Sequence, residues 1–130
     1  VIHPIEAESY RRLDEQVDLS HLSPLSRAVV ARIIHASADL DYAHSVDVDE
    51  EHLTRAVGAL RAGVPVVTDV EMVRHGITDW EVTCCIDAAA SSTGRTRSAE
   101  GMRLAAARHP DGVFVIGCAP TALFELIELA

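Results

Sequence analysis

Residues 65–73 read Pro65-Val66-Val67-Thr68-Asp69-Val70-Glu71-Met72-Val73, and this stretch decides the fold. The β-branched run after the proline predicts a short buried strand over 65–69, whose carboxyl end passes into a strand-to-helix turn at Val70–Val73. Working backwards, Asp49 caps a predicted helix EEHLTRAVGALRA, with Leu53, Ala56, Val57 and Leu60 on one face and Gly63 as the left-handed stop. Earlier still, a Ser23 hydroxyl cap and Pro24 at the first helical position open a helix through about Ser37. Working forwards, Val82–Ile86 reads as a second strand, and ASSTGRTRS (90–98) as a loop of small polar residues. From Ser98 the stretch AEGMRLAAARH is helical in composition, Pro110-Asp111-Gly112 is a turn, and Val113–Ile116 is a third apolar strand ending at Gly117. Pro120 opens a last helix, TALFELIELA. Strands alternating with helices predict an α/β domain with a mainly parallel sheet, and such sheets bind ligands beyond the carboxyl ends of their strands. Asp69–Thr78 and Gly117–Thr121 fall there.

With 130 residues and 48% hydrophobic composition, the chain reads as a single domain over 1–130. A net charge of −9 argues against nucleic acid or an anionic membrane as the main partner. No apolar run has the length of a membrane span, and the acidic, mixed N-terminus is neither signal nor transit sequence. The expected location is cytoplasmic. Cys84, Cys85 and Cys118 have neither zinc-site nor disulfide spacing and read as reduced thiols. All 11 basic residues are arginines. The absence of lysine excludes Schiff-base enzymes and P-loop NTPases, and leaves the guanidinium fork, which suits carboxylates.

Four segments taken in order carry a resemblance: Ile34-His35-Ala36-Ser37, the run Asp69–Thr78 (DVEMVRHGIT), Thr96-Arg97-Ser98-Ala99, and Ala119-Pro120-Thr121-Ala122-Leu123-Phe124. With the opening Pro4–Tyr10 (PIEAESY), they resemble the precorrin-8X methylmutase family over nearly the whole chain. The resemblance implies a three-layer α/β/α, flavodoxin-like fold and a homodimer with active sites at the subunit contact. It also implies an isomerase of cobalamin biosynthesis that moves a methyl group from C11 to C12 of a tetrapyrrole macrocycle, precorrin-8X or cobalt-precorrin-8. No added cofactor or metal is implied. In the family the histidine of this motif gives a proton to, or hydrogen-bonds, the macrocycle; here it is His35. The TRSA arginine, which holds substrate, matches Arg97.

The chemistry of the residues is compatible. Imidazole titrates near neutral pH, so it offers a proton and recovers it within a turnover; Ser37, two residues on, is placed to orient it. His75, within the Asp69–Thr78 motif, reads equally as a substrate contact or as a side chain that fixes the turn by bonding to backbone. Thr78 closes that motif and is a further substrate-binding candidate. Arg95 and Arg97, two apart in an extended loop, would point the same way and grip neighbouring carboxylates; the alternative is a loop of solvated arginines. The Gly117–Thr121 turn, with Thr121, offers backbone N–H groups to another carboxylate, or is a plain tight turn. His44 and His52 lie in an acidic run that reads as a helix cap with solvated charges rather than as a metal site.

The chain departs from the family where Gly94-Arg95 and Gly117-Cys118 replace the usual Gly-Asn pairs, and it matches the first two-thirds of a typical member. Two further readings follow: a catalytically weak corrinoid-binding module or subunit, and a generic flavodoxin-like nucleotide binder, which lacks a phosphate-binding glycine fingerprint. The apolar last helix, with Leu123, Phe124, Leu126, Ile127 and Leu129, predicts self-association or pairing with a further segment.

Overall fold

The helix expected from Pro24 forms: α2 spans Pro24–Ser37, with the proline in its first turn. Its cap is not the one expected. Ser23 makes no side-chain cap bond; instead the Glu50 carboxylate accepts from Leu25 N (3.0 Å), Ser26 N (2.8 Å) and Ser26 Oγ (2.7 Å). A full negative charge satisfies two orphan N–H groups and faces the positive end of the helix dipole, which a hydroxyl does less well. Glu50 itself is the first residue of α4 (Glu50–Arg61), where Asp49 Oδ1 accepts from His52 N at 2.7 Å as predicted. Gly63 then takes φ +77°, a left-handed conformation that favours glycine.

In this computed structural model, residues 3–89 and 94–130 are described. Residues 90–93 of the predicted loop, and Val1 and Ile2, lie outside them. Two compact units are distinguished, Val1–Arg55 and Ala56–Ala130.

The first unit holds α1 (Pro4–Gln16), α2, the one-turn α3 (Tyr42–Ser45) and the start of α4. α1 has a single buried residue, Leu13. It carries few apolar side chains and is supported by pairs one turn apart, Arg11 with Glu8 and Glu15, and Arg12 with Glu8. Leu13 meets Leu19, Val30, Ile34 and Ala43 in the core of this unit. α2 ends at Ala38, a non-glycine residue at φ 57°, whose N–H reaches back to Ile34 O.

The second unit is the α/β part. β1 (Val66–Thr68), β2 (Val82–Cys84) and β3 (Val113–Val115) form a parallel sheet in the order β2-β1-β3, with Val67 opposite Thr83 and Phe114. That order is the first part of the flavodoxin-like 2-1-3-4-5 arrangement. α5 (Glu71–Gly76) packs against β1 and β2, and α6 (Arg97–Arg108) packs with α7 (Pro120–Leu129); the right-handed rule for parallel crossovers assigns the two groups to opposite faces. Val67 accordingly packs with Met102, Ala105 and Ala122 from the α6 and α7 side.

β2 stops at Cys84, short of the expected Ile86, and the chain turns through a 3-10 segment, Cys85–Ala88. The reason is close helix packing. A Cβ on Gly101 of α6 would lie 2.2 Å from Cys85 O, so the helix backbone rests directly on this turn. Cys85 is buried, and desolvation foremost, with the nearby Cys84 and Asp69, pushes its thiol up to about 12. It is an inert, reduced thiol at pH 7.

Candidate functional site

His35 occupies the last turn of α2, half-buried. Its Nδ1 lies 2.8 Å from Ser9 Oγ, and its ring stacks on Tyr10 with centroids 4.7 Å apart and planes 15° apart. Both partners come from α1. Ser37, the residue expected to orient this ring, does not touch it: its hydroxyl donates to Ile33 O (2.9 Å) and accepts from Asp39 N (3.2 Å), closing the helix end. Short hydroxyl side chains near a helix end bond readily to local backbone. The ring borders a groove of about 290 Å³ lined by Ser9, Arg12, Gln16, Ala38 and Leu40 among others, at the small end of the range for ligand sites.

In the second unit, the carboxyl ends of β1 and β3 meet at Asp69. Its side chain is fully buried, and Oδ2 accepts from Cys118 N at 2.8 Å and from Ala119 N at 2.6 Å. Oδ1 is buried with no hydrogen-bond partner among the described residues. Burial opposes ionisation here, but the N–H groups of Cys118, Ala119 and Gly117 outweigh it and hold the carboxyl below its ordinary value. The turn expected to offer N–H groups to a substrate carboxylate therefore offers Cys118 and Ala119 to Asp69 instead. Thr121 in the first turn of α7 shares a hydrogen bond with Thr96, Oγ to Oγ 2.8 Å.

Arg95 and Arg97 do not lie on one extended segment. Thr96 is the N-cap of α6, its Oγ accepting from Ala99 N at 3.2 Å, so Arg97 is already helical. Helix geometry turns the two arginines apart. Arg95 Nε bonds Glu125 Oε1 of α7 at 2.8 Å. Arg97 is exposed and makes no hydrogen bond or ion pair among the described residues. His75 is exposed at the end of α5, where Nδ1 donates to Glu71 O at 2.8 Å, the turn-fixing contact. Thr78 is exposed just beyond.

The structure thus groups His35 with Ser9 and Tyr10 in the first unit. Arg95, Arg97, Thr121, His75 and Thr78 belong to the second, where Arg95, Thr96 and Thr121 line one shallow hollow with Phe124 and Glu125. Sequence reasoning singled out neither Ser9, Tyr10 nor Asp69 as site residues. Ser9 and Tyr10 do sit in the opening motif, which is the one signal that pointed to them.

A family model, precorrin-8X methylmutase, matches residues 4–130. The chain is similar to the cobalt-precorrin-8 methylmutase of Synechocystis, 33% identical over 97% of this chain and 68% of the relative. It is also similar to that of Methanothermobacter thermautotrophicus, 38% identical over 86% of this chain and 56% of the relative. Among solved structures, a precorrin-8X methylmutase related protein superposes with TM-score 0.78 at 30% identity, over 92% of this chain and 68% of that one. The precorrin-8x methyl mutase of Thermus thermophilus gives TM-score 0.82 at 28% identity, over 96% of this chain and 66% of that one. The fold is therefore the α/β fold of these proteins. The chain spans between one half and just over two thirds of the length of such relatives.

Proposed function

The chain belongs to the precorrin-8X methylmutase family, and on that premise we propose that it acts in cobalamin biosynthesis as an isomerase. It moves a methyl group from C11 to C12 of precorrin-8X or cobalt-precorrin-8, giving hydrogenobyrinate or cobyrinate. The observation that carries the proposal is the Ser9–His35–Tyr10 cluster. When the Ser9 hydroxyl donates to Nδ1, the imidazole proton sits on Nε2, the nitrogen left to meet a ligand. When the ring is doubly protonated, the same hydroxyl turns and accepts from Nδ1. Ser9 thus supports both protonation states, and the stacked Tyr10 ring restrains rotation of the imidazole. His35 lends a proton to the macrocycle as the C11–methyl bond breaks and the C12–methyl bond forms, then recovers it. No atom enters or leaves, so the step needs no cofactor.

Arg97 supplies a guanidinium to an acetate or propionate of the macrocycle. Ser37, His75, Thr78 and Thr121 remain in the proposal as polar contacts to the macrocycle, and Arg95 contributes only by exchanging its Glu125 partner. Residues 1–130 serve as one methylmutase-like unit of function, located in the cytoplasm and working as a self-associated species.

The groove beside His35 favours a second reading, a corrinoid-binding module of weak activity, because about 290 Å³ is small for a macrocycle. Absorbance spectroscopy with precorrin-8X and cobalt-precorrin-8 separates the two. Turnover changes the spectrum progressively at substoichiometric protein. Binding alone gives one stoichiometric shift, and that result would refute the isomerase.

A further inference from the structure

In a sheet ordered β2-β1-β3, the chain leaves β1 towards one side and returns to its other side, so the topological switch point lies between the carboxyl ends of β1 and β3. That crevice is where open α/β sheets receive ligands, often anions on backbone N–H groups. We propose that in this chain Asp69 is a positioning residue that fills the crevice with the protein's own anion. It presets the turn from β3 to α7 and leaves substrate carboxylates to be bound by side-chain cations, Arg97 foremost.

Three observations carry this. Asp69 Oδ2 takes both the Cys118 and Ala119 N–H groups, at 2.8 and 2.6 Å, which are the donors an external carboxylate would need. The turn is also packed closely against α5: a Cβ on Gly117 would lie 2.5 Å from Val73 Cγ2, so a side chain there would force Val73 to move. Finally, Asp69 is fully buried with Oδ1 unpartnered among the described residues. Leaving Oδ1 unpaired costs desolvation energy, which the two short charge-assisted bonds to Oδ2 offset. The same arrangement argues against a nucleotide phosphate at this position. The filling of the crevice stands on the geometry alone; the consequence for substrate carboxylates rests on the methylmutase reading.

Formate tests it, with amide NMR of the full chain as the readout. In the unaltered protein the Cys118 and Ala119 amides should resonate far downfield and stay unmoved by millimolar formate. In Asp69→Ala, formate should shift both amides saturably and slow their hydrogen exchange about tenfold, the behaviour of an anion re-entering a vacated site. Equal response in the unaltered protein, or none in a folded Asp69→Ala, overturns the proposal. Should that variant fail to fold, Asp69→Asn decides: the two amides should move upfield and exchange about tenfold faster while other resonances hold. Unchanged amides there overturn it. Amides that behave as expected in a protein that never alters the precorrin spectrum refute the methylmutase reading and leave the filled crevice standing.

Discussion

Ser9 Oγ lies 2.8 Å from His35 Nδ1, so a side chain of α1 fixes the imidazole of a residue 26 positions later on α2. A group that handles a proton in the transition state contributes to kcat far more than to binding. His35→Ala should lower kcat roughly 100-fold to 10,000-fold and leave macrocycle affinity within about tenfold. Ser9→Ala, which removes only the orienting bond, should lower kcat about tenfold with KM little changed. Full activity in His35→Ala, read by the absorbance assay, would remove the central claim.

Arg97 is exposed and unengaged among the described residues. A charge-assisted contact to a carboxylate is worth about 1.5–3 kcal/mol, so Arg97→Ala should weaken macrocycle binding by roughly 10-fold to 100-fold at low salt. The deficit should shrink as salt screens the unaltered protein's contact. Spectroscopic titration at two ionic strengths checks it, and equal affinities at low salt would assign Arg97 to the scaffold. Arg95→Ala makes a useful contrast: it breaks the Glu125 pair and should change binding by less.

Gly101 allows α6 to rest on the Cys85 backbone, where a Cβ would approach Cys85 O to 2.2 Å. The contact is with backbone and cannot be relieved by rotating a side chain. Gly101→Ala should therefore destabilise the fold by about 2–3 kcal/mol, the upper range for overpacking. Urea unfolding measures this directly, and a midpoint within error of the unaltered protein would mean that the helix shifts without penalty.

Glu50 caps α2, and the N–H of Leu25 foremost, with the Ser26 hydroxyl and N–H, holds its carboxyl below the ordinary 4.5. The folded form thus binds the proton more weakly than the unfolded chain does. Its stabilisation is complete above the unfolded value and is lost as pH falls through the lower folded one. Asp69, also held low, acts in the same direction. Urea midpoints should stay level from neutral pH down to about 4.5 and fall below it. Glu50→Gln should start lower and fall less steeply; a parallel curve would show that the cap charge is not involved.

α7 leaves Leu123, Phe124, Ile127 and Leu129 exposed at 45, 63, 61 and 55%. Beside it β3 is an edge strand of the sheet formed by the described residues. An apolar face next to an open strand edge associates. Sedimentation at micromolar concentration should show a dimer or larger species, and Phe124→Glu with Ile127→Glu should dissociate it. A monomer before substitution would contradict the expectation.

Much of the architecture was legible because it is written at short range. Pro24 and Pro120 mark helix starts, Gly63 a left-handed stop, and 65–69 and 113–116 strands whose observed ends differ by at most one residue. α1 was not legible as a helix, since charge pairs rather than an apolar stripe support it. His35 and Arg97 stood out through the motifs that contain them.

What the sequence by itself determined is the alternation of strand and helix, the family, and the residue types available for proton transfer and carboxylate binding. Local propensity and short motifs suffice for these. What only the tertiary structure decided is which groups meet. Ser9 rather than Ser37 holds His35; Glu50 rather than Ser23 caps α2; Asp69 rather than a ligand takes the Cys118 and Ala119 N–H groups. These partners stand 26, 24, 49 and 50 residues apart. A carboxylate or hydroxyl is bound by whatever donor the packed backbone brings within about 3 Å, and sequence spacing carries no record of that distance.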